Sequence, residues 1–179
     1  MKHLKMSLNI VIAASLLTAV ACSNSSSNPG STTEPELTGY WKGECIIDNG
    51  RSGYSDYAIL HFADDGTLTK TTYKFDGTTC SGEPISANGP TNGTFTLGTV
   101  VTESPLTQEF MSFLSCTEFY STFKIQNNTL YVANAGGDGS TAETRATDFT
   151  DADELTPITE ADIPALPEPV SVEPQLCLK

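Results

Sequence analysis

The sequence predicts an all-β domain folded as a single antiparallel up-and-down barrel of about eight strands, with a β-sandwich as the alternative. Short stretches of alternating apolar and polar residues recur along the chain, separated by Gly, Asn, Asp and Pro. Helical periodicity is almost absent. Closure is favoured over an open sheet because the strands follow one another in hairpin order and a closed sheet leaves no edge to aggregate.

The first half of this domain contains three strand patterns. Residues 37–47 form the first and residues 57–62 the second. The run Asp64-Asp65-Gly66 is a tight turn, and it leads into a third strand over residues 67–75. In that strand polar and apolar residues are mixed on both faces, which predicts that one face is only partly buried.

The second half continues in the same way. Residues 108–114 fit a strand or a short helix, the run Gln126-Asn127-Asn128 predicts a hairpin turn, and residues 135–140 form a Gly-rich loop. The remaining strands are predicted over residues 93–97 with a continuation at 100–101, 116–125, 129–133 and 143–150.

The N-terminus carries a processing signal. Lys2 and Lys5 precede an apolar run over residues 10–21, which is too short to span a membrane and is typical of a secretory signal peptide. The residues leading into Cys22 resemble the lipobox of bacterial lipoproteins, although Ala19 stands where Leu is commonest. The resemblance implies that Cys22 is lipidated, and Ser23 after it implies the outer membrane; the alternative is a plain secreted protein.

These features give a four-part layout. Residues 1–21 are a signal peptide, and residues 22–36 are a lipid-anchored tether rich in Ser, Pro and Gly. Residues 37–156 form the barrel, and residues 157–179 are a Pro-rich tail. The predicted location is therefore the bacterial cell envelope, facing the periplasm or the surface.

The charge excludes one class of partner. The whole chain has a formal charge of −13, with nine basic and 22 acidic residues, and removing Lys2 and Lys5 makes it more negative still. Nucleic acid binding needs clustered cations that this chain lacks. The predicted contact with the membrane is through the lipid anchor, and the acidity serves solubility outside the cytoplasm.

Apart from Cys22, the chain has an even set of cysteines, which predicts two disulfides in an exported protein. Counting strand directions pairs Cys45 with Cys80 at one rim of the barrel. The same count places Cys116 at the opposite rim, where only Cys177 on the tail can reach it. No two of these cysteines have zinc-site spacing, so no metal is expected.

The segment Gly39-Tyr40-Trp41 resembles the opening of the calycins, whose first strand carries Gly, any residue, Trp. In lipocalins an Arg from the last strand packs over that Trp, and the resemblance implies this role for Arg145. The avidin branch fits poorly because this chain has one Trp. The whole pattern is similar to small lipocalin-like lipoproteins of Gram-negative bacteria; the alternative reading of Trp41 is a plain core residue.

Nothing in the sequence predicts an enzyme or a cofactor. His61 fits a structural role within a strand. The segments at residues 137–140 and 151–154, which contain Asp or Glu, fit solvated loops better than calcium sites. A set of apolar side chains is predicted to line a cavity for a small hydrophobic ligand, the alternative being a dry packed core. The set is Tyr57, Ile59, Tyr73, Phe75, Phe95, Phe119 and Phe123.

The sequence thus leaves two functions open. The first is a membrane-anchored binding module that holds a small hydrophobic ligand. The second is a protein-interaction module on the same barrel, either a surface contact or a protease inhibitor.

Overall fold

The computed structural model describes residues 36–47 and 53–166, all within the unit Glu34–Lys179. The described residues contain a 3₁₀ helix at Glu160–Asp162 and no α-helix. The strands are β1 Gly39–Gly43, β2 Ile46–Ile47, β3 Tyr54–Phe62, β4 Thr67–Asp76, β5 Ser86–Glu103, β6 Leu106–Leu114, β7 Thr117–Gln126, β8 Thr129–Val132 and β9 Asp153–Ile158.

Eight of these strands form a closed antiparallel barrel in chain order, which confirms the predicted fold class. Each strand pairs with its neighbour from β3 to β9, and β1 closes the ring by pairing with both β3 and β9. The extra strand, β2, continues β1 along β3. Lys42 faces Ile59 whereas Ile46 faces Asp56, so one additional residue is accommodated as a bulge around Cys45.

The two ends of the barrel differ. At one end, here called the turn end, β1 begins and short turns join β3 to β4, β5 to β6 and β7 to β8. The last of these turns has positive φ at Asn127 and Asn128 (53° and 61°), as a two-residue hairpin requires. The other end, the loop end, carries the longer connections at residues 77–85 and 133–152.

Large apolar side chains pack inside the barrel. The Trp41 indole N–H donates to the Leu37 carbonyl oxygen at 2.7 Å, which draws the N-terminal residues of the domain into the core. Phe62 and Phe95 meet edge to face with their centroids 5.1 Å apart. The buried members are Leu37, Trp41, Phe62, Leu68, Phe95, Phe110, Phe123, Ile125, Leu130 and Leu155.

A second buried cluster lies on the outer face of the barrel wall. The β3–β4 ladder has no register shift from Tyr54↔Asp76 to Phe62↔Leu68, so alternate residues of β3 face opposite sides. Leu60 and Phe62 belong with the interior core, which places Tyr57 and Ile59 outside. They are buried there with Tyr73 and Phe75, and Cys80 and Ile163 pack against the cluster from neighbouring segments.

The structure lengthens one predicted strand and decides an open prediction. The strand predicted at 93–97 with a continuation at 100–101 is part of β5, and residues 108–114, which fitted a strand or a helix, are part of β6. The two strands form a long hairpin that turns at Ser104-Pro105. Strand β5 begins as early as Ser86 because a register shift opposite Lys70 and Thr72 accommodates Gly89-Pro90. Residues rarely found in strand interiors are tolerated at such irregularities.

The last strand is also displaced from its prediction. Residues 143–150 make only the isolated bridges Ser121↔Ala146 and Ala135↔Asp148. The closing strand is β9 instead, and it includes Pro157 and ends at Ile158, beyond the predicted end of the barrel at 156. Asp148 accepts hydrogen bonds from the N–H and hydroxyl of Thr150, and such local turns compete with a strand.

The predicted Cys45–Cys80 disulfide is confirmed, with a Cα–Cα distance of 5.8 Å. Both residues lie at the loop end, as the strand count required. Cys116 is disulfide-bonded, but Cys177 lies outside the described residues. The predicted rim of Cys116 is wrong. The prediction counted an even number of strands before it, with residues 93–114 as one strand or three, but this region forms two strands, β5 and β6. Five barrel strands therefore precede Cys116, and it also lies at the loop end.

The double substitution Cys45→Ser/Cys80→Ser should lower the free energy of unfolding by about 3 to 4 kcal/mol, because the bridge closes a 35-residue separation. Urea unfolding of the two proteins measures the difference. The control is Ser81→Ala, an exposed change in the same loop, which should leave stability unchanged. If the free energy of unfolding fell no further in the double variant than in the control, this account would be contradicted.

Candidate functional site

A cavity of about 420 Å³ opens at the loop end of the barrel. Pairing between β1 and β9 stops at Gly43↔Leu155, and β2 continues along β3 without a partner strand on its other side among the described residues. The wall therefore parts between β2 and the start of β9. The cavity is lined by Gly43, Glu44, Ile46, Ala58, Leu60, Lys70, Asp151, Ala152, Asp153, Glu154 and Leu155.

The cavity has an apolar inner part and a charged rim. Leu60 and Leu155 are part of the interior core or pack against it, so they form the inner surface, and Ala58 adds a small side chain beside them. Gly43 lies opposite Leu155 and contributes no side chain. A volume of this size suits a small organic molecule, which such pockets hold mainly through apolar contacts.

The rim is predominantly acidic. Lys70 is the one basic residue among the lining residues, against Glu44, Asp151, Asp153 and Glu154. The side-chain amide of Asn134 donates to the carbonyl oxygen of Asp151, which joins the two ends of the 133–152 loop beside the rim. An acidic rim repels anions, so the site favours a neutral or cationic molecule with an apolar body.

The residues predicted to line a cavity do not line this one. Phe95 and Phe123 are buried in the interior core, and Phe119 lies against Gly139 of the 133–152 loop. Tyr57, Ile59, Tyr73 and Phe75 form the outer cluster, where burial raises the pKa of both tyrosines.

The physical reason is that the outer face of β3 and β4 is itself buried, because neighbouring segments pack against it from outside the barrel. Alternation in the sequence separates Ala58 and Leu60 from Tyr57 and Ile59, but both pairs are apolar, so the pattern does not say which pair faces inward. The smaller pair, Ala58 and Leu60, lines the cavity. The signal that the sequence prediction missed is size: an inward-facing small residue leaves space.

Arg145 does not pack over Trp41, which corrects that prediction. One guanidinium nitrogen, Nη1, donates to the carbonyl oxygens of Phe110 (2.8 Å) and Ser121 (3.0 Å). Nε lies 3.5 Å from a Glu109 carboxylate oxygen, and the guanidinium carbon lies 5.7 Å from the centroid of the Tyr120 ring. Arg145 comes from the 133–152 loop rather than from the last strand, so it fastens that loop to β6 and β7.

The other polar candidates have structural roles. The His61 ring stacks on Tyr40 with centroids 4.0 Å apart, on the face of β3 opposite the cavity. Hydrogen bonds from Thr144 and Ser140 lower the pKa of Asp138 to about 2. Within the described part of the chain, no group of His, Cys, Asp and Glu side chains could hold a metal ion.

Compared with protein-family models, curated proteins and solved structures, the chain matches none. Across residues 36–47 and 53–166 no helix is long and apolar enough to cross a membrane. The functional argument therefore depends on the barrel and its cavity.

Replacing Arg145 with Met should loosen the 133–152 loop, because two carbonyl oxygens lose a charged donor. We expect the free energy of unfolding to fall by about 1 to 3 kcal/mol. The amides of Tyr120 and Ala146, whose hydrogen bonds join β7 to this loop, should exchange faster. Hydrogen exchange measures the effect. Arg145→Lys keeps the charge but not the forked geometry and should give an intermediate loss; unchanged exchange in the Met variant would refute the role.

Proposed function

We propose that the protein is a lipid-anchored envelope protein whose barrel binds a small, largely apolar molecule at its loop end. The observation that carries the proposal is the 420 Å³ cavity, which opens to solvent and has Leu60 and Leu155 on its inner surface. The acidic rim narrows the ligand class to neutral or cationic molecules, because an anionic head group would meet four carboxylates.

The predicted N-terminal signal supports the setting. Cys22 and the tether at residues 22–36 lie almost wholly outside the described residues, so the anchor is argued from the lipobox resemblance. The confirmed Cys45–Cys80 disulfide suits an oxidising compartment outside the cytoplasm. A tethered barrel of the calycin type, the class that the Trp41 motif resembles, would sample small molecules in the envelope.

The alternative function is a protein-interaction module on the same barrel. It gains support from exposed apolar side chains on the β5–β6 hairpin, where Leu97 and Val101 are 50% and 57% exposed. This hairpin projects at the turn end, away from the cavity. The two functions therefore use separate surfaces and do not exclude one another.

Filling the cavity tests the first function. Ala58→Trp should weaken binding of the neutral apolar dye N-phenyl-1-naphthylamine at least tenfold, because the indole occupies the space beside Leu60. Thr156→Trp is the matched control, since Thr156 is exposed on β9 outside the lining, and it should bind the dye as the wild type does. Fluorescence titration measures both.

Equal dye binding by Ala58→Trp and the wild type, or no saturable binding by the wild type, would contradict the proposal. Native mass spectrometry of protein purified from its own envelope is the complementary measurement. A small molecule that co-purifies with the wild type and is lost in Ala58→Trp identifies the natural ligand.

The anchor is tested separately. Cys22→Ala should move the protein from the membrane fraction to the soluble fraction, because the acyl chains are its predicted attachment. A second variant, Ser23→Asp, should remain in the membrane fraction but shift to the inner membrane in enterobacteria-like sorting. Unchanged membrane retention of Cys22→Ala would show that Cys22 is not the anchor.

A further inference from the structure

The long strand β5 runs past the strand beside it. Its pairing with β4 ends at Thr67↔Thr94, and the last backbone bond on that side is the Phe95 N–H to the Gly66 carbonyl oxygen at 2.8 Å. Strand β5 continues to Glu103 with β6 as its neighbour on the other side. Among the described residues no strand lies along the second edge of residues 96–103.

This edge is apolar and exposed. Leu97, Val100 and Val101 are 50%, 44% and 57% exposed, and Thr96, Thr99 and Thr102 lie among them in the sequence. Unpaired backbone groups flanked by β-branched side chains are a template for another extended chain. The edge extends toward the turn end, so it is separate from the cavity.

The charged residues in this part of the chain are acidic. From residue 86 to residue 123 the chain contains no Lys, Arg or His. Glu109 is neutralised by Arg145, but Glu103 stands at the end of the edge. Glu103 is also the one charged residue lining a depression of about 340 Å³ between the β5–β6 and β7–β8 turns.

We propose that residues 96–103 of β5 bind an extended polypeptide segment of a basic partner, which adds to the barrel wall as an extra strand. Backbone hydrogen bonds supply the pairing, Leu97, Val100 and Val101 contact its apolar side chains, and Glu103 attracts Lys or Arg at one end. The partner is expected to be basic, because the whole chain has a formal charge of −13 and attracts cations.

The shape of the edge favours a flexible segment over a second copy of the chain. The β5–β6 register shifts between Leu97 and Val100 and again between Val100 and Thr102, so the edge is curved by bulges. The side-chain amide of Gln108 donates to the Gly98 carbonyl oxygen at 3.0 Å, which fixes this curvature. Two rigid curved edges related by a two-fold axis diverge, and two copies with the same negative charge repel each other.

The test uses a synthetic eight-residue peptide of alternating Val and Lys, labelled for fluorescence anisotropy and titrated with the purified full chain. The wild type should bind it saturably. Val101→Lys should weaken binding at least tenfold, since it places a cation within the edge. The matched control Thr156→Lys adds the same charge on β9, which is four strands from β5 in either direction round the barrel. It should change the affinity by less than about twofold, because salt screens the interaction between charges on opposite sides of the barrel.

Two further peptides separate the two parts of the proposal. A peptide with Glu in place of Lys should not bind, and a peptide with alternate amides N-methylated should lose binding at the same charge because it cannot pair as a strand. Equal binding of the N-methylated peptide would overturn strand addition.

Other outcomes would also overturn the proposal. One is equal weakening by Thr156→Lys and Val101→Lys, and another is no saturable binding up to about 1 mM, which corresponds to about −4 kcal/mol. Sedimentation shows whether the chain self-associates. A dimer that Val101→Lys abolishes would assign the edge to a second copy instead.

Discussion

Pairing of β1 with both β3 and β9 is the interaction on which the structure depends. The strand is only five residues long, yet it joins the two ends of the seven-strand sheet β3 to β9 into a closed barrel. Trp41 lies at its centre, opposite Leu60 on one side and Pro157 on the other, and its side chain is buried in the interior core. Closure and core formation are therefore the same event at this strand.

Unequal strand lengths create both candidate sites. Because β1 and β9 stop pairing at Gly43↔Leu155, the wall parts at the loop end and leaves the cavity. Because β5 continues beyond Thr94, where its pairing with β4 ends, the wall has an unpaired edge at the turn end. A barrel with matched strands would have neither feature, since every edge would be satisfied and each end would be closed by packing.

The sequence predicts the parts of this fold that depend on local pattern. The first strands, the Asn127-Asn128 turn and the Cys45–Cys80 pairing follow from alternation, turn chemistry and strand direction, and the structure confirms them. The predictions that failed depend on non-local packing. The outer cluster of Tyr57 and Phe75 and the contacts of Arg145 with β6 and β7 are set by segments distant in sequence that fold over the wall.

Burial of the outer face of β3 and β4 also explains why a cavity lies at the loop end. An outer cluster covered by the 77–85 loop and Ile163 uses the largest aromatic residues of β3 and β4 on the outside. Around the cavity the inward positions of the same strands carry Ala58, Leu60 and Lys70, and the small side chain of Ala58 leaves space near the loop end. Nearer the turn end Phe62, Leu68 and Phe95 fill the interior. The strand pair β3–β4 therefore has a packed inner face near the turn end and an open one near the loop end, where alternation points Tyr57, Tyr73 and Phe75 outward and Ala58 and Leu60 inward.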